Sequence, residues 1–204
     1  MPPTDPPLTR ERILAAAEEV VRRFGPAKAT VVDVAQALGV SHAAVYRHVA
    51  SKAELRELVV GRWLEHAMVA LRKAAQPNGP APRRLRRFVE ALIASKRARA
   101  AADPELFAAY RTLAADAQPV VAAHVDELLR LTAGIISDGI SEGTFRRVEP
   151  VSTARALLAA TSRFHHPAHA TEWADPGIDA AFDAVWELLM RGLCVEGRTS
   201  GGSF

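Results

Sequence analysis

The 204-residue chain contains one cysteine, Cys194. A single thiol can neither close an intramolecular disulfide nor build a cluster of thiolate metal ligands, and it suits a reducing compartment. No uninterrupted apolar stretch approaches the ~20 residues that span a bilayer. The opening MPPTDPPLTR lacks the apolar core of a secretory signal, so a cytoplasmic location is expected. Alternating β-branched runs bounded by hairpin turns are missing, which argues against sheet. Glycine loops of Walker or Rossmann spacing are missing as well, and no cofactor is expected. With 49% apolar and 24% charged residues the composition is that of an ordinary globular chain, excluding wholesale disorder and fibrous repeats.

The net charge of +3 hides a strong polarity. Residues 1–60 carry 8 Lys and Arg against 7 Asp and Glu, residues 61–102 carry 10 against 2, and residues 103–204 carry 8 against 14. A basic front and an acidic back suggest a polyanionic partner on one side only.

Helical periodicity runs nearly throughout. After Thr9, a good N-cap, Ile13, Leu14, Ala17, Val20, Val21 and Phe24 recur at helical spacing until Gly25-Pro26. A short segment from Thr30 to Leu38 breaks at Gly39, and Ser41 opens another through about Val49. Ser51 caps a fourth, which Pro77-Asn78-Gly79-Pro80 stops. Further helices start near Pro82, Pro104, Pro119, Ser152 and Pro176. The expected fold class is all-α.

Residues 30–55 read TVVDVAQALGVSHAAVYRHVASKAEL. Two short helices joined by a glycine-containing turn form a helix-turn-helix, with Val34, Leu38, Val40 and Val45 as buried contacts and Ala35 permitting close approach. An ordinary helical hairpin in a core would share that length and spacing. In a helix-turn-helix the second helix fits the major groove of DNA, where its N-terminal residues meet base edges.

Together with the helix from Thr9 to Phe24, this segment resembles the N-terminal domain of TetR-family transcriptional regulators. The resemblance is carried by Thr30, Asp33-Val34-Ala35, Gly39-Val40-Ser41, Val45-Tyr46-Arg47-His48-Val49 and Ser51-Lys52-Ala53-Glu54-Leu55. It implies a small helix-turn-helix DNA-binding domain plus a larger C-terminal helical domain for effector binding and dimerisation. The expected divisions are a disordered tail 1–8, the DNA-binding domain 9–50, a linking helix 51–76, the effector and dimerisation domain 81–196 and a flexible tail 197–204. Expected partners are double-stranded operator DNA, a second copy of the chain and a small-molecule effector.

Each DNA-reading role has a chemical basis. Lys52 combines a cationic head with a helix N-terminus, and both attract phosphate. Tyr46 and His48 can donate to phosphate oxygens, and the family pattern places contacting residues at both. Thr30 could cap its helix and also donate to phosphate; packing or capping alone is the alternative for Thr30 and Tyr46. Ser41 can cap the recognition helix, His42 and Arg47 can bond base edges, and Ala43 and Ala44 can touch thymine methyls. Because one such helix covers few bases, a homodimer on a palindromic operator is expected. Its seam is expected at Ala154, Leu157, Leu158 and Thr161 with Ala181, Val185, Leu188 and Leu189, unless these stripes face only their own core.

For the effector, the candidate pocket residues are Trp63, Phe88, Leu92, Phe107, Tyr110, His124, Leu128, Phe164 and His165; His124 could equally be a hydrogen-bonded core histidine. The basic run Arg83, Arg84, Arg86 and Arg87 reads as a solvated helix face, while Lys96, Arg97 or a neighbour could meet an anionic effector. The segment FHHPAH (164–169) raises the alternative of a metal sensor using His165, His166 and His169, although no Cys or carboxylate accompanies them at a ligand spacing. A small-molecule-binding helical protein without DNA function is a further alternative. Gly139-Ile140-Ser141-Glu142-Gly143 matches the G-x-S-x-G of serine hydrolases, but a helix precedes it and no sheet exists to expose the serine. An enzyme is not expected.

Overall fold

The computed structural model describes residues 7–26 and 30–195; residues 1–6 of the expected N-terminal tail and the expected tail 197–204 lie outside the described residues. The helices are α1 (Arg10–Phe24), α2 (Val31–Leu38), α3 (His42–Tyr46), α4 (Lys52–Ala75), α5 (Ala81–Ala102), α6 (Pro104–Asp116), α7 (Gln118–Ser141), α8 (Pro150–Ala160), α9 (Ser162–His165) and α10 (Ile178–Leu193), with a 3₁₀ helix at Pro167–Glu172. Among the described residues there is no strand, only an isolated antiparallel bridge between Phe145 and Cys194. The protein is all-α.

Capping explains the boundaries. Thr9 accepts from the amide of Arg12, Thr30 from Asp33 and Asp103 from Leu106, each meeting an orphan donor of the first turn. Glu149 rather than a hydroxyl opens α8, accepting from the amides of Val151 and Ser152. Pro150 stands at the first helical position, where its missing N–H costs nothing.

The chain divides into two compact units, Met1–Glu65 with Ala102–Ala123, and His66–Ala101 with His124–Phe204. The first buries Ile13, Ala17 and Val21 of α1 with Val34 and Ala35 of α2, Val45 of α3, and Leu55 and Val59 of α4. α6, far along the chain, joins this core through Ala109, Tyr110 and Leu113. Trp63 stacks on Tyr110 at 4.8 Å between ring centroids, and the Tyr110 hydroxyl donates to Glu18 at 3.3 Å. Burial, and then the Glu18 charge, push the Tyr110 phenol far above its ordinary range, so it remains a neutral donor. The pairs Arg62–Glu11 (2.6 Å), Arg22–Asp103 (3.2 Å) and Arg56–Asp116 (2.5 Å) rim the unit. With one partner of each pair well exposed to water, they contribute little energy each.

The second unit packs Phe88, Leu92, Ile136, Leu157, Phe164, Phe182 and Trp186 into one core. Its basic run is absorbed internally instead of forming the solvated face read from the sequence. Arg84, only 2% exposed, bonds Asp138 (2.9 Å) on α7 and Glu142 (3.2 Å) just past its end. Arg86 meets Glu90 (2.7 Å) and Asp183 (2.5 Å), and Arg87 donates to the carbonyls of Ala74 (3.1 Å) in the last turn of α4 and Asn78 (3.2 Å) beyond it. Arg83 alone of the four is exposed. Buried arginines are tolerated because the planar fork meets two acceptors at once.

The hydrolase-like motif is a helix end. Ser141 donates to the carbonyl of Ser137 at 3.0 Å, and Gly143, at φ +69°, turns the chain out of α7. Gly139 lets the Phe145 ring lie against the helix: a Cβ there would stand 2.1 Å from Phe145 Cδ2. Alanine at a helical glycine ordinarily stabilises by up to ~1 kcal/mol. Here Gly139→Ala should instead destabilise the protein by roughly 1–3 kcal/mol, the cost of overpacking. Urea unfolding read by circular dichroism checks the sign, and a stabilised variant would contradict the packing described.

Lys96, 5% exposed, is the second buried cation of this unit. Burial, and secondarily the charge of Arg99, lower its ammonium from 10.5 to about 8. Below pH 8 the folded chain holds the buried charge, and the desolvation cost opposes folding in full. Between pH 8 and 10.5 the folded state sheds this proton before the unfolded state does, and the opposition fades. The stability difference between Lys96→Met and the unaltered protein should therefore move in favour of the unaltered protein across that window, by up to about 3 kcal/mol. A difference independent of pH from 7 to 10.5 would rule this out.

Candidate functional site

The helix-turn-helix is assembled from α2, a turn and α3. Thr30 caps α2: its Oγ1 accepts from the amide of Asp33 at 3.2 Å and donates to the Asp33 carboxylate. That commits the Thr30 hydroxyl hydrogen, which leaves Thr30 as a cap. At the far end Gly39 takes φ +66° and ψ 28°, the left-handed region. Its amide reaches Gln36 O at 3.1 Å and the amide of Val40 reaches Ala35 O at 3.0 Å, the paired bonds of a Schellman end. A side chain with a Cβ would be strained there.

Ser41 caps α3 by accepting from the amide of Ala44 at 3.2 Å. Val45 and Val49 are buried beneath the helix and its exit. With Val45 turned inward, helical geometry sends positions 43, 46 and 47 outward, while His42, one turn before Val45, stands at the open first position of α3. His42, Ala43, Tyr46 and Arg47 are all exposed, Tyr46 at 51%, whereas Ala44 and His48 are half-buried at the margins. Lys52 opens α4 and is exposed. Beside it, Ser51 accepts from the amide of Glu54 (3.0 Å), while the Glu54 carboxylate accepts from the amide of Ala50 (2.6 Å) and from Arg10 (2.9 Å). This is a capping box that holds the turn between α3 and α4. No side-chain hydrogen bond or ion pair joins His42, Tyr46, Arg47 or Lys52 to another described residue. The arrangement presents an imidazole, a phenol, a guanidinium and an ammonium to solvent on a short helix and the start of the next.

The expected pocket residues divide between the units. Trp63, Phe107 and Tyr110 belong to the first, with Trp63 and Phe107 ring centroids 5.8 Å apart. The other six belong to the second. Phe88, Leu92, Leu128 and Phe164 are core residues there, and His124 is half-buried on α7. His165 is largely buried, with Nε2 at 3.3 Å from Thr161 Oγ1. Burial first, then the charges of Lys96 and His166, push His165 down to about 4, so the ring is neutral at physiological pH.

The three histidines of 164–169 do separate work. His165 meets Thr161, His166 caps the 3₁₀ helix by accepting from the amide of Ala168 (3.2 Å), and His169 pairs with Glu172 (2.8 Å). Among the described residues no group of three or more His, Cys, Asp or Glu could hold a metal ion, and the metal-sensor alternative is not favoured.

The residues expected at a dimer seam differ in exposure. Ala154, Leu157 and Thr161 are buried in the core of their own unit, and Thr161 donates to Leu157 O at 2.9 Å. Those three face inward because they lie on the inner side of α8, a distinction the apolar stripe alone does not make. Leu158, Ala181, Val185 and Leu189 are partly buried. Leu188 is 72% exposed.

Comparison with known proteins agrees with this architecture. The family model for bacterial regulatory proteins of the tetR family matches residues 13–59, and that for the tetracyclin repressor-like C-terminal domain matches residues 81–186. Among curated proteins none matches. Among solved structures the chain is similar to SmeT, described as the repressor of the Stenotrophomonas maltophilia multidrug efflux pump SmeDEF. The TM-score is 0.69 at 21% identity, covering 96% of this chain and 95% of that one. A SmeT–triclosan complex aligns with TM-score 0.67 at 20% identity over 95% of both chains. FadR of Bacillus subtilis in complex with stearoyl-CoA aligns with TM-score 0.63 at 16% identity, covering 90% of this chain and 99% of that one. The helix-turn-helix, the wholly helical second unit and family matches over both parts of the sequence together establish that the chain belongs to the TetR family of bacterial transcriptional regulators.

Proposed function

We propose that the protein is a ligand-responsive repressor that binds a palindromic operator as a homodimer in the cytoplasm and is released by a small, largely apolar effector. The observation that carries this reading is the outward face of α3, where His42, Tyr46 and Arg47 project without internal commitments while Val45 anchors the helix from below. His42 and Arg47 would read base edges, with Ala43 and Ala44 against thymine methyls. Lys52, Tyr46 and His48 would grip phosphates and set register. Thr30 and Ser41 would act through the caps that hold the two helices. No helix among the described residues is long and apolar enough to cross a membrane, in keeping with that location.

Dimerisation would use the outer side of α8 and α10, with Leu188 as its most exposed apolar side chain, flanked by Leu158, Ala181, Val185 and Leu189. In such a scheme residues 9–50 read DNA, 51–76 link and 81–196 bind effector and partner copy. That SmeT is found in complex with triclosan and FadR of Bacillus subtilis with stearoyl-CoA supports a small-molecule effector for this protein too. Coupling between effector and operator would be reciprocal, each weakening the other by the same factor.

Two measurements test this. In fluorescence anisotropy, Lys52→Ala should weaken binding to operator and non-operator duplexes alike and lower the salt slope by about one. His42→Ala and Arg47→Ala should each change sequence preference by roughly 1–3 kcal/mol at individual base pairs. Uniform loss across sequences from the His42 and Arg47 changes would refute base reading. By sedimentation, Leu188→Glu should convert a dimer to monomers and lose operator affinity with it; an unaltered dimer would remove α10 from the interface.

A further inference from the structure

Within the second unit, α5 and α10 border a groove of about 290 Å³, near the lower end of ordinary small-molecule sites. Its apolar surface comes from Ile93, Ala94 and Phe182. Two arginines of α5 reach across it to α10: Arg86 to Asp183 at 2.5 Å and Arg97 to Asp179 at 2.6 Å. Glu90 completes the rim and also holds Arg86, whose guanidinium lies 5.7 Å from the Phe182 ring centroid.

The two arginines are satisfied unequally. Arg86 has a carboxylate on Nε and another on Nη2. Arg97 spends only Nη1 on Asp179, while its Nε and Nη2 are buried with no hydrogen-bond partner among the described residues. Nε and Nη2 form the edge of a guanidinium that takes a carboxylate in two parallel bonds. Leaving both buried without an acceptor is unfavourable. Arg97 itself lines the groove and its side chain as a whole is 23% exposed, so binding at that edge requires only that the guanidinium turn about its stem.

The charges around the groove select the class of ligand. Three carboxylates, Glu90, Asp179 and Asp183, stand with two guanidiniums. A purely anionic molecule would meet Arg97 but face the surplus carboxylate, and a purely cationic one would leave the Arg97 edge unmet. A molecule bearing both charges next to an apolar group satisfies every part. We propose that the α5–α10 groove binds a zwitterion of the amino-acid class, its carboxylate on the Nε–Nη2 edge of Arg97, its ammonium on Asp183 and Glu90, and its apolar side chain on Ile93, Ala94 and Phe182.

The site is independent of the DNA-reading proposal and is tested without DNA. The full chain is titrated calorimetrically with L-phenylalanine, with L-leucine, and with the half-charged analogues phenethylamine and 3-phenylpropionate. At least one amino acid should bind below about 10 mM, with phenylalanine roughly tenfold or more tighter than either analogue. Arg97→Gln and Arg97→Lys should each weaken amino-acid binding about tenfold, since lysine keeps the charge but lacks the fork. Asp183→Asn should weaken it to a similar extent through the ammonium, and all three variants should keep the circular dichroism of the unaltered protein. The proposal fails if neither amino acid binds below about 10 mM, if 3-phenylpropionate or phenethylamine binds as tightly as phenylalanine, or if Arg97→Lys binds as the unaltered protein does. A folded Arg97→Lys alone decides it should Arg97→Gln or Asp183→Asn lose the fold.

Discussion

Val45 is the buried residue of α3, a helix of only five residues. A single helical turn in water is unstable, because fixing its first residues yields too few hydrogen bonds to offset the lost entropy. The helix exists because Val45, with Val49 just after it, is buried in the first unit's core. Ser41 at one end and the Ser51–Glu54 box beyond the other close the backbone bonds that packing cannot reach. Once Val45 is inside, the opposite faces have no freedom: Ala43, Tyr46 and Arg47 must point away from the core, and His42 is left exposed at the helix start. Orientation of the reading surface is therefore a consequence of apolar burial on the opposite side.

The arginines of the second unit show how little formal charge says by itself. Residues 61–102 carry 10 Lys and Arg against 2 Asp and Glu, yet Arg84, Arg86 and Arg87 are turned to carboxylates and carbonyls within the unit. Glu90 of α5 itself holds Arg86, but Asp138, Glu142 and Asp183 come from α7, its exit and α10, in the acidic part of the sequence. Part of the opposing excesses along the chain thus holds α5 to later elements, through Arg84, Arg86 and Arg97. The exposed cations of the helix-turn-helix, Arg47 and Lys52, come from a stretch that is nearly neutral, where position counts for more than total charge.

Local features of the fold were legible in the sequence because they depend on neighbours within a turn or two. Thr9, Thr30, Ser41 and Ser51 announce helix starts through bonds to amides three residues on, and Gly39 announces a left-handed helix end. Where two caps compete, local pattern does not choose between them: α8 opens at Glu149 and Pro150 rather than after Ser152. The stripe Ala154, Leu157, Leu158 and Thr161 was recognisable as apolar, but which members face the core depends on what α8 packs against. Likewise the aromatic candidates for a pocket, alike in type, fall in two different units because α6 packs with α1.

An all-helical chain, a helix-turn-helix with its caps and turn glycine, and membership of a regulator family follow from short-range pattern along the chain. Packing between distant segments is what makes Arg84 a buried tie to Asp138 and Glu142, gives the histidines of 164–169 three unrelated jobs, and leaves Arg97 an unused edge beside a groove. Those outcomes rest on contacts between residues distant along the chain. The decisive quantity is what a side chain meets when water is removed from around it, which its type and its place in a helical stripe leave undetermined.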